Sequence, residues 1–284
     1  MSPTPVAAPT VLATGLISGW GRGLEVLPQD ARVAAGERGI ITADPPSVSG
    51  DRFRRATREC LMAVAAVEEA LREGGAPRVA LRGERTALLY VTASAYAPAN
   101  RAFIEGRGAT ALHFPYTAPS AVPAEVAIEF GITGPYVTFL GGATAALSAL
   151  WYAGTLLASS QCDRAVVLGV ETFSECADLF ARGRWLVDRP LVEAAACAFL
   201  EPGTGELTYS EHRAGRATGV ATTPTARRLG EAFACVPIVE LGAARAAGPG
   251  PLDLLLTGAW RGAHAALRWI EARPSWNPTT PSKN

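Results

Sequence analysis

The sequence has little charge, and neither sign is in excess. Charged residues make up 18% of the 284 positions, and 26 basic side chains balance 26 acidic ones. A balanced chain offers no electrostatic attraction to nucleic acid or to an anionic membrane, so neither is predicted as the main partner. One basic cluster falls in a predicted helix, where it is either a solvated face or a docking surface for an acidic protein. It comprises Arg52, Arg54, Arg55 and Arg58.

Paired cysteines, clustered histidines and long apolar runs are also missing. The cysteines have no C-x-x-C spacing, and the histidines His113, His212 and His264 stand alone, so no metal and no cofactor is predicted. An odd number of scattered cysteines is typical of reduced thiols in the cytoplasm. No apolar run approaches the ~20 residues of a membrane span. The first twenty residues lack a basic n-region, so we expect a cytoplasmic protein without a signal peptide. The cysteines are Cys60, Cys162, Cys176, Cys197 and Cys235.

Strand and helix patterns alternate along what is present. Short apolar runs predict strands at 11–17, 86–93, 137–140, 164–170, 197–200, 207–211 and 252–257, with a hairpin-like turn at 201–206. Helical spacing predicts helices at 51–73, 100–105, 124–130, 144–160, 227–235 and 262–272, the first capped by Asp51 and stopped by Gly74 and Gly75. The helix at 144–160 is apolar on nearly every face, which predicts burial on all sides. The alternation predicts a layered α/β domain over residues 1–272 with mostly parallel strands. A disordered polar tail is predicted at 273–284.

One segment within this pattern has the composition of an active-site turn. Residues 134–150 read GPYVTFLGGATAALSAL, which is a strand, a tight turn of small residues and the start of the buried helix. Together with segments before and after it, this segment resembles the β-ketoacyl synthases of the thiolase superfamily. The supporting segments are DRFRRATRECLMAVAAVEEALREGG, FPYTAPSAVPAEVAIEFGITGP, QCDRAVVLGVETF and LVEAAACAFLEPGTG, with Glu193 in the family's glutamate position. The likeness spans about residues 11–211 and implies the thiolase-like layered α/β/α/β/α fold, mainly its N-terminal half with a shortened C-terminal part.

The departures from the family concern its reacting groups. Counting from Gly134-Pro135 without a gap, the position of the nucleophilic cysteine holds Ala143, preceded by Gly141 and Gly142. No cysteine lies between Cys60 and Cys162, so no shift of the alignment restores a nucleophile. The family's two catalytic histidines also have no counterpart, because the strand at 252–257 runs into Gly-Ala-Trp-Arg-Gly. Condensation needs a thiolate and polar donors for the developing oxyanion, so no independent synthase activity is expected.

The resemblance then implies the role of a partner. In chain-length factors, a subunit without catalytic groups pairs with an active ketosynthase and sets the depth of its acyl tunnel. We therefore expect a heterodimer that also works with an acyl-carrier protein in fatty-acid-like, polyketide or aryl-polyene synthesis. The candidate tunnel and interface residues are Phe103, Ile104, Phe114 and Tyr116, for which core packing is the alternative.

Two other functional classes stay open on the sequence. One is an acyl transferase or decarboxylase of altered chemistry that uses the old acyl pocket. The other is a pseudo-enzyme that binds acyl-carrier protein for regulation. Cys176 follows a strand end and is the remaining nucleophile candidate, although a small buried residue is the simpler interpretation. His113 stands beside Phe114 in the predicted interface loop.

Overall fold

Two β-sheets enclose a layer of buried helices. The computed structural model describes residues 5–47, 50, 53–54, 56–106, 113–183, 189–213, 222–248 and 250–271. The strands are β1 (Thr10–Ser18), β2 (Gly21–Arg22), β3 (Ile40–Ile41), β4 (Thr86–Thr92), β5 (Tyr136–Leu140), β6 (Arg164–Glu171), β7 (Leu191–Val192), β8 (Ala194–Glu201), β9 (Gly205–Arg213), β10 (Asp253–Trp260) and β11 (Ala263–Glu271). The helices are α1 (Ala31–Ala35), α2 (Arg58–Glu73), α3 (Ala97–Ile104), α4 (Ala121–Phe130), α5 (Ala143–Ala158), α6 (Ala177–Gly183), α7 (Pro224–Leu229) and α8 (Cys235–Ala246).

The larger sheet has the order β2-β1-β8-β6-β4-β5. Strand β4 is parallel to β5 and β6, whereas β8 is antiparallel to both of its neighbours, β1 and β6. The long strands other than β8 therefore all run in one direction, as the alternating pattern predicted. A short parallel pair, β3 with β7, lies apart from this sheet.

Helices cover both faces of the larger sheet. Helix α2 packs on β1, β6 and β8, and α4 packs on α2 and β4. On the opposite face, α5 packs on β4 and β6, and α8 packs on β1, β6 and β8. Every residue of β4 is buried, as expected for a strand enclosed on both faces.

The second sheet is small and antiparallel, with the order β10-β11-β9. It packs against α5 and, through β10, against α8. The described residues thus form four layers in the order α/β/α/β. This confirms the predicted layered α/β fold. The predicted tail at 273–284 lies outside the described residues.

Helix α2 begins later than predicted. Its first residue is Arg58, and the preceding Thr57 has an extended backbone (φ −73°, ψ 164°). Phe53 is buried but lies before the helix. Its apolar side chain falls at helical spacing in the sequence, which made the predicted helix too long at its N-terminal end. The proposed cap, Asp51, lies outside the described residues. The predicted stop is confirmed, because Gly74 caps the helix.

The last predicted helix, at 262–272, is wrong. The segment is strand β11, which pairs with β10 in a hairpin whose two-residue loop is Arg261-Gly262. Both loop residues have positive φ, 48° and 79°, as a type I′ turn requires. The side chains of Ala265, Leu267 and Trp269 are buried at every second position, which is the period of a strand.

Two further expectations were wrong near the C-terminal part. The turn at 201–206 does not make a hairpin of β8 and β9, because β1 and β6 already occupy both edges of β8. Strand β9 instead pairs with β11 in the second sheet. The predicted helix at 227–235 is interrupted by Gly230 (φ 95°), with α7 before it and the longer α8 after it. Among the described residues, no helix is long and apolar enough to cross a membrane.

Candidate functional site

The Gly-Gly-Ala turn joins the end of β5 to the start of the buried helix α5. Gly142 is the N-cap residue and Ala143 is the first helical residue. The indole of Trp260 lies directly against Gly142, since a Cβ built on this glycine would be 2.3 Å from Cε3 of the ring. Only glycine is compatible with this close approach. The sequence of the turn is thus coupled to a side chain more than a hundred residues later.

Ala143 faces strand β10. A Cβ built on Gly258 would be 2.8 Å from the Cβ of Ala143, so the two backbones approach closely at this point. The first turn of a helix favours a negative charge and would lower the pKa of a thiol placed there. The side chain at this position is a methyl group, which supplies neither charge nor nucleophile.

Aromatic side chains close one side of the turn. Trp260 packs edge-on against Phe233 with ring centroids 5.0 Å apart, and Phe233 contacts Phe173 at 5.2 Å. Phe180 of α6 completes the cluster, 5.0 Å from Phe173. The backbone of Phe233 is left-handed (φ 42°), an arrangement that costs of order 1–3 kcal/mol and that the surroundings must hold in place.

A polar cavity of about 300 Å³ lies on another side of Ala143. Arg189 and Glu231 form an ion pair at its wall, with a nitrogen–oxygen distance of 2.7 Å. Burial raises the pKa of Glu240, whose carboxylate accepts a hydrogen bond from the Thr223 hydroxyl. No cysteine or histidine is among the described residues that line this cavity. The described part of the lining thus offers a bound molecule carboxylates, hydroxyls and a guanidinium, but neither a thiol nor an imidazole.

The matched family decides the identity of this fold. The N-terminal domain model of the β-ketoacyl synthases matches residues 40–221, which is more than half of the chain. The chain belongs to the β-ketoacyl synthase family. The resemblance read from the sequence is thereby confirmed. No curated protein sequence matched the chain.

Solved ketosynthase structures share the fold of this β-ketoacyl synthase family member. A type II polyketide synthase structure, AntDE:AntF, described as an acyl-carrier protein in complex with its ketosynthase bound to the hexaketide, has a TM-score of 0.71 at 14% identity, covering 94% of this chain and 99% of that chain. The ishigamide ketosynthase/chain length factor has a TM-score of 0.66 at 16% identity, covering 95% and 100%. The ketosynthase ApeO in complex with its chain length factor ApeC from Xenorhabdus doucetiae has a TM-score of 0.61 at 12% identity, covering 92% and 99%.

The glutamate at the family position is a buried structural anchor in this ketosynthase-like chain. Glu193 accepts hydrogen bonds from the backbone N–H groups of Ala43, Phe173 and Ser174 at 2.8–2.9 Å. The Arg58 guanidinium donates to both of its carboxylate oxygens, at 2.5 and 2.8 Å. Burial favours the protonated form, but the hydrogen bonds and charge of Arg58 prevail and lower the pKa of Glu193 to about 2.

The same contact corrects the interpretation of the basic cluster. The Arg58 side chain is only 15% exposed and also pairs with Glu175, so it belongs to neither a solvated face nor a docking surface. Arg52 and Arg55 lie outside the described residues. Arg58 is therefore not part of a basic surface, and the prediction is corrected for this residue alone.

A second buried carboxylate, Glu171, was missed in the sequence. It lies at the end of β6 and accepts hydrogen bonds from the Ala93 and Ser94 N–H groups, from the Ser94 hydroxyl, and from the Ala234 N–H at 3.2 Å. Burial raises its pKa to about 7, against these hydrogen bonds. Because Ala234 follows Phe233, Glu171 helps to hold the left-handed turn that carries the aromatic cluster.

The predicted tunnel residues are brought together at the surface. Phe103, Ile104 and Phe114 are 38%, 82% and 59% exposed, so core packing does not explain them. The Phe103 and Phe114 rings are 5.5 Å apart. Tyr116 is half-buried against the core, and its hydroxyl donates to Glu125 at 3.1 Å. The role of these four residues as a tunnel wall remains a prediction.

The cysteine and histidine candidates have different outcomes. All five cysteines are buried, and burial raises the pKa of Cys176 although a hydrogen bond from Arg101 opposes this. A reactive thiolate at Cys176 is therefore disfavoured. His113 precedes the 3₁₀ turn at Phe114–Thr117 and is exposed. His212 and His264, expected to stand alone, stack on each other with ring centroids 5.6 Å apart.

Proposed function

We propose that this chain is a non-catalytic ketosynthase-like subunit that pairs with a catalytic β-ketoacyl synthase in the cytoplasm and shapes its acyl tunnel. One observation carries the proposal. The ketosynthase fold is retained around the Gly-Gly-Ala turn, yet the first residue of the buried helix, Ala143, carries no reacting group. A fold kept without its nucleophile is explained by a role in assembly.

The edge of the larger sheet supports pairing with another chain. Among the described residues, β5 is the last strand of the larger sheet, and β4 is its only strand partner. Its free edge presents unpaired backbone groups, and Tyr136 and Leu140 on this strand are 43% and 59% exposed. Ile128 of the adjacent helix α4 is 67% exposed. An exposed apolar edge of this kind favours a strand or helix of a partner subunit.

The exposed aromatic pair supports the tunnel role. Phe103 is the penultimate residue of helix α3, and Phe114 begins the 3₁₀ turn that packs on α3 and α4. Both rings are large and rigid, and they present apolar surface outward rather than into the core. Such a surface is suited to closing an apolar channel of a partner, which would set the length of its acyl product.

We further propose that the pair works with an acyl-carrier protein in fatty-acid-like or polyketide synthesis. Fatty-acid-like and polyketide chains are built on acyl-carrier protein, and the aryl-polyene type is our preferred product class. The AntDE:AntF structure joins an acyl-carrier protein to its ketosynthase, and the ApeO structure joins a ketosynthase to its chain length factor. These complexes support the proposal that this chain binds a catalytic ketosynthase and an acyl-carrier protein.

Co-expression with a catalytic ketosynthase tests the pairing. We expect the two chains to purify as a heterodimer, and Leu140→Asp to weaken that complex at least tenfold by placing a charge on the β5 edge. Val33→Asp is the matched control, because Val33 is 80% exposed on helix α1 and should leave the complex intact.

The other outcomes of this experiment decide between functions. Purification as a monomer that binds acyl-carrier protein would favour the regulatory pseudo-enzyme. An acyl adduct trapped on this chain alone would favour altered acyl chemistry. Either result would contradict the proposed pairing.

A further inference from the structure

Two histidines that are 52 positions apart in the sequence lie directly opposite each other in the second sheet. The register of β9 and β11 places His212 against His264. Leu207, Tyr209, Ala265 and Leu267 are buried at alternating positions of the same strands. Because side chains alternate between the faces of a strand, both imidazoles lie on the face turned away from α5.

The two rings are close and nearly parallel. Their centroids are 5.6 Å apart and their planes differ by 16°. Nε2 of His264 is buried and has no hydrogen-bond partner among the described residues. A buried polar atom without a partner is costly, so this nitrogen is available for a ligand that would satisfy it.

The described neighbours of the two rings on this face of the sheet have small side chains. The residue opposite His264 on β10 is Ala259, and the next outward pair along β9 and β11 is Ser210 with Ala266. All three side chains are small. The neighbouring cations are Arg213, at the end of β9, and Arg261, whose guanidinium lies over the Trp260 ring 5.8 Å from its centroid. These charges weaken the binding of a cation at the imidazoles but do not abolish it.

We propose that His212 and His264 form a two-histidine site for a divalent transition metal. Neutral imidazole is a ligand for Ni²⁺, Cu²⁺ and Zn²⁺, with metal–nitrogen distances of about 2.0–2.1 Å, so two coordinating nitrogens lie roughly 3–4 Å apart. Coordination of one metal ion by both side chains would require the rings, whose centroids are 5.6 Å apart, to rotate until their nitrogens reach this range. No group of three or more potential metal-ligating side chains occurs in the described part of the chain, so water completes the coordination.

Binding at this position would join β9 to β11. The two strands contribute one ligand each, and the unfolded chain does not hold the two imidazoles together. The metal therefore stabilises the folded second sheet. This inference does not depend on the proposed pairing with a ketosynthase, because it concerns the isolated chain.

Titration of the purified chain with Ni²⁺ tests the site. We expect one Ni²⁺ per chain by calorimetry, and a rise in the melting temperature of about 5 °C at a hundredfold excess over Kd. Cu²⁺ should bind more tightly than Ni²⁺, in line with the general affinity order. Binding should weaken at acidic pH, because each imidazole must lose its proton to coordinate.

Variants separate this site from nonspecific binding. His212→Gln and His264→Gln should each reduce the Ni²⁺ affinity at least tenfold, and His113→Gln, which removes a histidine elsewhere, should not. His212 is exposed, so its variant keeps the test valid if His264→Gln fails to fold. Unchanged Ni²⁺ affinity in His212→Gln would overturn the proposal, as would an equal loss in His113→Gln.

Discussion

At the scale of single residues, the position of the Trp260 indole depends on the absence of a side chain at Gly142. The indole occupies the space that any side chain at position 142 would need, with 2.3 Å between the built Cβ and the ring. The indole is held in turn by Phe233 and by the stacked Arg261. The turn before Ala143 can therefore accept a side chain only if this aromatic cluster moves.

We predict that Gly142→Ala destabilises the protein by about 1–3 kcal/mol, the usual cost of overpacking. The measurement is the free energy of unfolding in urea. Gly248→Ala is the control, because no atom lies within 4 Å of a Cβ built there, and its effect should be within about 0.5 kcal/mol. Equal stability of the two variants would show that Trp260 moves away without cost.

Placing a thiol at Ala143, the predicted nucleophile position, should not restore condensation. Ala143→Cys places a thiol at the start of α5, but the cavity beside it has no histidine among its described residues. Loss of such donors costs on the order of 10²-fold or more in rate for each role. The assay is elongation of an acyl thioester from a malonyl donor, with a catalytic ketosynthase as positive control. Turnover by Ala143→Cys alone would contradict a non-catalytic chain.

At the scale of elements, two buried carboxylates hold loops against strands through hydrogen bonds. Glu193, just before β8, binds Arg58 of α2 and the backbone after β6. Glu171, at the end of β6, binds the loop after β4 and the turn before α8. Their pKa values are displaced in opposite directions. Burial raises the pKa of Glu171 against its neutral described donors, whereas at Glu193 the hydrogen bonds and charge of Arg58 outweigh burial and lower the pKa.

These displacements predict the pH dependence of stability. Because the pKa of folded Glu171 is about 7, above the ordinary 4.5, its contribution to stability is fully present below pH 4.5 and is lost as pH rises toward 7, by about 3 kcal/mol. Glu193 acts in the opposite sense, since its contribution is lost as pH falls from about 4.5 toward 2.

The substitution Glu171→Gln should therefore reduce the decrease in unfolding free energy between pH 4.5 and 7, although it lowers stability at acidic pH. The measurement is urea unfolding across this range. Glu193→Gln is the matched control, because it should alter the dependence below pH 4.5 and leave the higher window unchanged. A Glu171→Gln variant with the wild-type slope would show that this carboxyl does not titrate there.

At the scale of the whole molecule, the two sheets of the described residues differ in size and in the helices that cover them. The larger sheet has helices on both faces, whereas the second sheet has three strands. The exposed aromatic pair, Phe103 and Phe114, and the free edge of β5 lie in the part of the fold that is built around the larger sheet. Both features on which the proposed pairing rests therefore lie in the same part of the fold.

We predict that Phe103→Ala or Phe114→Ala lengthens the products of the partner ketosynthase without abolishing its activity, because a smaller side chain deepens the tunnel. Product length is measured by mass spectrometry with the intact heterodimer. Val79→Ala is the control, since Val79 is also exposed, at 67%, but belongs to a different turn. Unchanged product length in an intact heterodimer would exclude these residues from the tunnel wall.

Much of the larger sheet could be predicted because its signals are local. The buried strands β4 and β6 are continuous apolar runs, and α5 is apolar around its circumference. Each of these apolar patterns indicates that the segment itself is buried on all sides. The start of α2 and the break at Gly230 were less predictable, since isolated apolar residues such as Phe53 continue a helical period beyond the helix.

The sequence by itself determined the family, the order of the first-half elements and the absence of a reacting group at Ala143, because these are properties of contiguous segments. Only the tertiary structure decided that β9 leaves β8 for the second sheet, that 263–271 is a strand, and that Trp260 lies on Gly142. It also decided the partners of Arg58 and His264. These outcomes depend on which backbone edge or side chain, distant in the sequence, is available as a partner. A local sequence pattern does not indicate which of these alternative partners is used.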